Sequence, residues 1–435
     1  MKTALTLAAL LLASTSVNAA PLFGINWSGM EFNSGALPGR PNTDYPLISP
    51  PLSVGATANV IRIPFLMERV FPNGPGGAVD AQYLASLVSS SQWALANSAT
   101  PIVDEHGYGG VFGNDITTPA GASALANAWA ALAKQLPVGT GADLMNEPIG
   151  QTNTALAATY NGVIQAMRAV GFGGTIFVEP RAYARADQVK PGWTDFDSIV
   201  DPQGDTDLEV HWYLDPNNNG QGGDPPNATI GSAAMQNIVA WKASTTSHLG
   251  LVFLGETGVG QSNGVVDAAS IAALNNELKT IAQHGETFFG ATLWAAGPWW
   301  PASYALNVNA VNGAVTGAMT VGENVFFPLQ MFLAADSYQG DPAYSIKLDG
   351  KVVAAGAVSN NRLTTAPLQV GVPNSGISGS HTATVTFLND TYAGTPTTDR
   401  NLFLMGASLS GAILAYSPQT MLNTGSSATV TFKTP

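Results

Sequence analysis

Cysteine is absent from this chain of 435 residues, so neither disulfides nor thiolate metal sites can hold it, and hydrophobic cores must do so. Basic residues are scarce. Lys and Arg number 16 against 29 Asp and Glu, the formal net charge is −13, and no basic cluster occurs; a nucleic-acid partner, which needs cationic surface, is excluded. Charge of either sign is sparse, at 10% of residues, and acidity alone selects no partner. Long apolar runs are missing after the N-terminus. The run from Ala4 to Ala13 in "MKTALTLAALLLASTSVNAA" follows a single Lys and precedes the small residues Ala19 and Ala20. It has about half of the roughly 20 residues a spanning helix needs, and the pattern reads as a secretory signal peptide over residues 1–20. The mature chain is therefore expected to be secreted, extracellular or periplasmic, with no membrane contact after cleavage. Internal repeats are missing too, which argues against a surface-layer role, and no Gly-rich phosphate turn follows the first apolar stretch, which argues against an open dinucleotide-binding sheet.

What is present is length and rhythm. A chain of this size exceeds one ordinary core, so two domains are expected. Eight short apolar stretches alternate with Ala-rich segments of helical period: "LFGINW" (22–27), "NVIRIPF" (59–65), "TPIVDEHGY" (100–108), "ADLMNEP" (142–148), "TIFVEP" (175–180), "LEVHWYL" (208–214), "LVFLGETG" (251–258) and "FFGATLWAAG" (288–297). Helices are expected over 81–98, 122–136, 156–171 and 267–285. Eight β–α units in about 300 residues indicate a (β/α)₈ TIM barrel over residues 21–320.

The polar endings of these stretches carry the chemistry, because barrel strands end at the face where active sites sit. Arg62 closes the second stretch, Asp104, Glu105 and His106 the third, and Asn146 and Glu147 the fourth. Glu179 closes the fifth, His211 and Tyr213 the sixth, Glu256 the seventh and Trp294 the eighth. One such residue is readily explained by packing; all of them at one mouth are not. Several acids, two histidines, an Arg and aromatic rings suit cleavage of a sugar polymer, with two carboxyls for the chemistry and aromatic faces for the pyranose rings. Strands four and seven lie across a barrel mouth, so Glu147 and Glu256 are the natural pair. Sequence geometry alone leaves Glu179 open as an alternative partner.

The set "RIPF", "VDEHGY", "MNEP", "HWYLD", "GETG" and "LWAAGPWW", in this order over roughly residues 22–320, resembles glycoside hydrolase family 5, in particular its endo-β-1,4-glucanases. The resemblance implies Glu147 as general acid/base and Glu256 as nucleophile, with Asn146 on the hydroxyl beside the reacting carbon. Arg62 and Tyr213 would hold the nucleophile, and His106, His211 and Trp294 would line the cleft. Family members usually carry Asn after the first of these histidines, where this chain has Gly107. The implied mechanism needs Glu147 protonated when the leaving oxygen departs and ionised when water arrives, while Glu256 stays ionised; the product keeps its anomeric configuration, and no cofactor is needed for catalysis. Trp299 and Trp300, in the Gly/Pro-bounded "GPWW", are expected as sugar platforms, with Trp27 similarly placed. The loop "LDPNNNGQGGDPP" (214–226) opens like a calcium loop at Asp215 but has Pro226 where the bidentate Glu belongs, and reads as a cleft-edge loop.

Beyond residue 320 the helical rhythm stops. Alternating segments such as "AYSIKLDGKVVAAGAV" and "HTATVTFLND" indicate a small β-sandwich over residues 321–435. Within it, Asp390 and Asp399 flank a Gly-containing loop, a pattern that fits either an Asx-rich turn or calcium held by oxygen ligands. "FLNDxYxGTxxxDRNL" resembles carbohydrate-binding module family 60 over about residues 324–420. That resemblance implies calcium-dependent sugar binding with Asp390 and Asp399 as ligands. The whole is read as a secreted, monomeric, retaining endo-β-1,4-glucanase acting on cellulose or related plant-type or microbial β-linked polysaccharide. A mannanase, xylanase or xyloglucanase on the same scaffold, and a non-catalytic polysaccharide-binding protein, are the alternatives; the intact pair Glu147 and Glu256 argues against the last.

Overall fold

A computed structural model of the chain describes residues 20–48, 58–312, 314–365, 367–372, 379–395, 398–410, 412–414 and 418–434. The expected signal peptide, residues 1–20, lies outside them except for its last residue. Eight strands form the first unit: β1 Leu22–Trp27, β2 Val60–Phe65, β3 Thr100–Glu105, β4 Gly141–Asp143, β5 Ile176–Val178, β6 Thr206–His211, β7 Val252–Thr257 and β8 Phe288–Ala296. They pair in sequence order, and β8 returns to β1 to close the barrel. Every pairing is parallel. The fourth and fifth strands are shorter than their apolar stretches, since the chain leaves the ladder before Asn146 and Glu179.

Besides a single helical turn at Met67–Val70, the helices are α1 Ala81–Ala96, α2 Pro119–Ala133, α3 Asn153–Ala169, α4 Ile230–Lys242, α5 Ala268–Gln283 and α6 Gly317–Phe326. Their starts are chemically marked. Asp80 accepts from the N–H groups of Gln82 and Tyr83 at α1, Thr118 from Gly121 at α2, Thr152 from Ala155 at α3, and Asp267 from Ala269 and Ser270 at α5; each satisfies donors that the first helical turn leaves free. The two helices that sequence reading did not separate, α4 and α6, have no side-chain cap. Between β5 and β6 the described chain makes only a 3₁₀ turn, Ala186–Gln188, so the eightfold β–α rhythm is incomplete there. Among the described residues no helix is long and apolar enough to cross a membrane.

Period-two alternation stacks the barrel interior in two layers. Val60, Ile102, Phe177 and Phe253 form a buried cluster with Phe289 packed against it, and the rings of Phe177, Phe253 and Phe289 meet at 5.1–5.5 Å. Two residues further along their strands come Arg62, Asp104 and Glu179, all fully buried. The apolar floor excludes water beneath a charged layer that opens at the strands' C-terminal ends.

The second unit is antiparallel. Its strands are β9 Leu329–Asp336, β10 Ala343–Leu348, β11 Lys351–Ala357, β12 Leu368–Val372, β13 Gly379–Phe387, β14 Asn401–Leu409, β15 Ala412–Ile413, β16 Gln419–Met421 and β17 Ser427–Thr434. One sheet runs β12-β9-β14-β15 with β16 also on β14, the other β11-β10-β13-β17. Alternate residues of both sheets share one core, including Met331, Leu333, Ile346, Val385, Leu404 and Val430, which makes the unit a β-sandwich. The inward spacing stretches from Leu404 to Ala407 because the β9–β14 register shifts there. The core changes over between Phe327 and Leu329, a few residues past the expected 320/321 division. The reason is that α6 packs with the barrel: Phe326 stacks on Phe23 of β1 at 5.1 Å. The run "VFFPLQMFLAADSY" therefore begins as helix and turns to strand only at Leu329.

Candidate active site

Arg62, completely buried on β2, is the hub of the barrel mouth. Its Nη1 donates to Asn26 Oδ1 at 3.1 Å and Glu256 Oε1 at 3.0 Å, and its Nη2 to Asp143 Oδ2 at 2.7 Å, Asn146 Oδ1 at 2.9 Å and Glu179 Oε1 at 3.2 Å. Asp104 Oδ2 lies 2.8 Å from Nη1. Nε lies 2.7 Å from Glu209 Oε1, an ion pair without hydrogen-bond alignment, since neither atom has a hydrogen-bond partner. One guanidinium thus faces carboxylates from β3, β4, β6, β7 and the end of β5, more negative charge than it can balance. Burial therefore pushes the carboxyls of Asp104 and Asp143 well above the usual range despite Arg62, and that of Glu179 despite His211.

Glu256 goes the other way. Burial raises its pKa, but the charges of His211, Arg62 and His106 and a hydrogen bond from Tyr213 outweigh that, and the net shift is downward. The Tyr213 hydroxyl donates to Glu256 Oε2 at 2.6 Å. His211, at the end of β6, is opposed by burial, yet Glu256 and Glu179 hold its imidazole protonated well above its ordinary pKa. Its Nδ1 donates to Glu147 Oε1 at 2.8 Å. A carboxylate oxygen of Glu147, one of Glu256 and a ring nitrogen of His211 all lie within 4.8 Å of one another. Glu147 is held in a left-handed backbone, φ 45°, while its N–H donates to Glu179 Oε2. Glu179 is thus wholly buried beneath the pair, bonded to Arg62 and to the Glu147 backbone, and does not reach the mouth.

At the end of β3, His106 Nδ1 meets Asp104 Oδ2 at 2.7 Å and Nε2 meets the Tyr108 hydroxyl at 3.1 Å and Asn146 Nδ2 at 3.4 Å. Trp294 stacks on His106 at 5.5 Å. The departure at Gly107 has a steric reason: a Cβ there would sit 2.4 Å from Gly110 O and 2.9 Å from Glu105 Oε1, so this turn admits no Asn, and Tyr108 faces His106 Nε2 instead. A cleft of about 480 Å³ adjoins His106, lined also by Tyr108, Glu68, Asp115 and Gln151. Of the expected platforms, Trp299 is 41% exposed, whereas Trp300 has one face on Tyr304, with centroids 4.1 Å apart, and donates to Ser28 Oγ. Trp27 is buried. Asp215 accepts backbone N–H bonds from Asn217, Asn219 and Gly220, which makes the 214–226 loop self-capped.

Sequence reading missed Asn26, Asp143 and Glu209. Glu209 was within reach, two residues before His211 and so on the same face of β6. Asn26 also donates to Gly255 O at 2.8 Å, a tie across the barrel that no local pattern encodes.

Residues 25–297 match the family described as "Cellulase (glycosyl hydrolase family 5)". The chain belongs to glycosyl hydrolase family 5. Its barrel is similar to endo-beta-1,4-glucanase B of Emericella nidulans, 31% identical over 314 residues and covering 69% of this chain and 90% of that one. It is likewise similar to a probable endo-beta-1,4-glucanase B of Aspergillus niger, 29% identical over 69% of this chain and 89% of the relative. Among solved structures, a mutant endo-beta-1,4-glucanase from Xanthomonas axonopodis pv. citri aligns with TM-score 0.63 at 29% identity, over 69% of this chain and 97% of that one. XacCel5A in complex with cellopentaose gives TM-score 0.63 at 28%, over 70% and 99%. The family 5 barrel is thus a glycosidase. Residues 328–423 match the family described as a Ca-dependent, xylan-binding carbohydrate-binding module, so the β-sandwich is a module of family 60.

The residues around Asp390 fit a hard cation. Arg400 N donates to Thr391 O, and Tyr392 pairs antiparallel with Asp399, a register that sets Asp390 opposite Asn401. Asp390 Oδ1 and Asn401 Oδ1 are shielded from solvent and have no hydrogen-bond donor, while Asp399 Oδ2 accepts from Asn401 Nδ2 at 2.9 Å. Solvent-shielded oxygen acceptors without a donor, beside the Asp399 carboxylate in the chain, are of the type that calcium takes. Pro396 and Thr397 of the intervening loop lie outside the described residues.

Proposed function

We propose that this chain is an exported, retaining endo-β-1,4-glucanase. The observation that carries the reading is the approach of Glu147 and Glu256 to within 4.8 Å, oxygen to oxygen, with His211 between them. Retaining glycosidases hold their carboxyls about 5–5.5 Å apart, inverting ones roughly 6.5–9.5 Å to admit a water. Glu256, kept ionised by His211 and Arg62, attacks the anomeric carbon as the glycosidic C–O bond breaks. Glu147 gives its proton to the departing oxygen, and the His211 imidazolium stabilises the carboxylate it leaves behind. Glu147 then takes a proton from water, which attacks from the face the leaving oxygen vacated and breaks the bond to Glu256 on the opposite face, so two inversions retain the configuration. Tyr213 and Arg62 hold the two oxygens of Glu256 in line; Asn146, oriented by Arg62, is left to meet the neighbouring hydroxyl.

The glucan preference is supported by the naming of the relatives as endo-beta-1,4-glucanases, and a protein that shares this barrel was solved with cellopentaose. A second reading, action on xylan, is favoured by the xylan-binding description of the module's family. In the module, Asp390 and Asp399 with Asn401 would hold calcium, which would supply a cationic contact for sugar hydroxyls, while the barrel works without it.

The test is reducing-sugar release from carboxymethyl-cellulose, mannan and xylan by the mature chain and its Glu256→Gln variant. Activity greatest on the glucan and lowered at least about a thousandfold in the variant is expected. Activity confined to xylan or mannan would keep the mechanism and replace the substrate, and an undiminished Glu256→Gln variant would refute the nucleophile assignment.

A further inference from the structure

Glu209 lies on β6, two residues before His211 and on the same face of the strand. It is fully buried, and neither of its carboxylate oxygens has a hydrogen-bond partner. A buried carboxylate left without aligned donors is costly, and an apolar residue in its place would remove that cost. The fold makes room for it instead. A Cβ on residue 255 would fall 1.8 Å from Glu209 Oε1 and 2.6 Å from its Cδ, so the carboxylate fits because β7 carries glycine immediately before Glu256. In this seat Glu209 meets two cations. Arg62 Nε lies 2.7 Å from Glu209 Oε1, and His211 Nε2 lies 3.5 Å from the same oxygen and 3.3 Å from Glu179 Oε1. The other ring nitrogen of His211 donates to Glu147, so Glu209 meets the imidazole at the nitrogen that does not face the acid.

We propose that Glu209 is a positioning residue that keeps the His211 imidazole charged and turned toward Glu147, with Gly255 providing its seat. The assignment rests on the reading of Glu147 as the acid. The imidazolium stabilises the carboxylate that Glu147 becomes on giving up its proton, and it does so while both ring nitrogens carry hydrogen. Carboxylates face this ring from several strands: Glu147 at the end of β4, Glu179 at the end of β5, Glu209 on β6 and Glu256 on β7. Their charges are not equally steady. Glu147 gains and loses a proton in each cycle, Glu256 loses its charge when it bonds the sugar, and burial pushes Glu179 toward its neutral form. Glu209 touches neither substrate nor the transferred proton, so its charge stays beside His211 through both steps. The same charge reaches across the layer, where it is one of the causes that push Asp104 on β3, Asp143 on β4 and Glu179 upward. Arg62 of β2 opposes it from the far side.

The test is the pH dependence of kcat/KM in Glu209→Gln, which keeps the side chain's shape and an oxygen for Arg62 Nε but removes the charge. Loss of an anion lowers the proton affinity of every group that faces it. On a β-1,4-gluco-oligosaccharide the alkaline limb should therefore move about one pH unit lower, a loss of roughly tenfold above the optimum and less than about twofold below it. Glu209→Asp, which keeps the charge, should retain most of the wild-type limb. An aryl β-cellobioside carries an activated phenolate that departs without a proton. On it the Glu209→Gln variant should stay within about twofold of wild type, because Glu256 keeps its bonds from Tyr213 and Arg62. In the wild-type chain the imidazole nitrogen resonances of His211, assigned by comparison with His211→Asn, should be those of a doubly protonated ring at about pH 7. A neutral ring there would overturn the proposal even if no variant at position 209 folded. An unmoved limb in Glu209→Gln, or equal losses on the two substrates, would overturn it as well and leave the glucanase reading intact. A wild-type chain inactive on both substrates would overturn that reading and this assignment with it.

Discussion

A single guanidinium among five carboxylates sets the electrostatics of the mouth, and buried carboxyls behind it respond to the same physics. Glu277 on α5 is fully buried; Thr257 Oγ1 donates to its Oε2 at 2.7 Å, Oε1 has no partner, and burial pushes its pKa up to about 8. Thr257 adjoins Glu256, so this neutral carboxyl supports the strand of Glu256 from the helix side. The folded-state pKa exceeds the unfolded one, so the carboxyl's contribution to stability is intact below about pH 4.5 and is lost as pH rises toward 8. Asp207, pushed by burial up to about 7, adds a loss of the same sign. Glu277→Gln, which cannot ionise, should be more stable than wild type by a few kcal/mol, as an order of magnitude, at pH 8, and nearly equal to it at pH 4. Thermal melts of both proteins across this range check it; a constant offset in Tm would show that Glu277 does not carry the pH dependence.

At the scale of elements, α6 shows how closely a helix must fit the barrel. A Cβ on Gly322 would fall 1.8 Å from Phe23 Cζ, and Phe23 is already stacked on Phe326. Gly322→Ala should therefore destabilise the chain by about 1–3 kcal/mol, since neither ring has room to withdraw. Gly162, on the exposed face of α3, meets nothing within 4 Å, and Gly162→Ala should instead stabilise by about 0.5–1 kcal/mol through helix propensity alone. Paired denaturant titrations read both signs, and a neutral Gly322→Ala would mean that α6 does not pack as described. The four helices expected from their apolar period are those that begin with a cap, at Asp80, Thr118, Thr152 and Asp267, although two of them start three residues before the expected 122 and 156; α4 and α6 begin without a cap and were not separated from their loops.

The whole molecule has two independent cores, with chemistry on one and sugar recognition on the other. Tethering raises the local concentration of polysaccharide at the mouth without altering the reaction. Removing calcium with a chelator should therefore abolish retention of the chain on insoluble polysaccharide, and lower the melting temperature of the sandwich. Hydrolysis of a soluble substrate by the barrel should change by less than about twofold. Pull-down and reducing-sugar assays on one chelated sample read the two effects separately; barrel activity that fell together with retention would count against the division of labour.

Local pattern alone was enough to locate the strands and their polar ends. Apolar alternation with period two and a polar residue at each C-terminal end place Arg62, Glu147, His211 and Glu256 on one face of a barrel before any coordinates are known. Ordered motifs over most of the chain point to the family as well. The sequence made Glu147 and Glu256 the natural pair but left Glu179 open, and only the tertiary structure decided between them. Glu179 also ends a strand, but the barrel buries it under Arg62 and leaves Glu256 beside Glu147. The change of core at Leu329, the steric demand at Gly107 and the seat that Gly255 leaves for Glu209 were likewise invisible in sequence. Each depends on contacts between segments far apart in the chain, and local propensity carries no record of them.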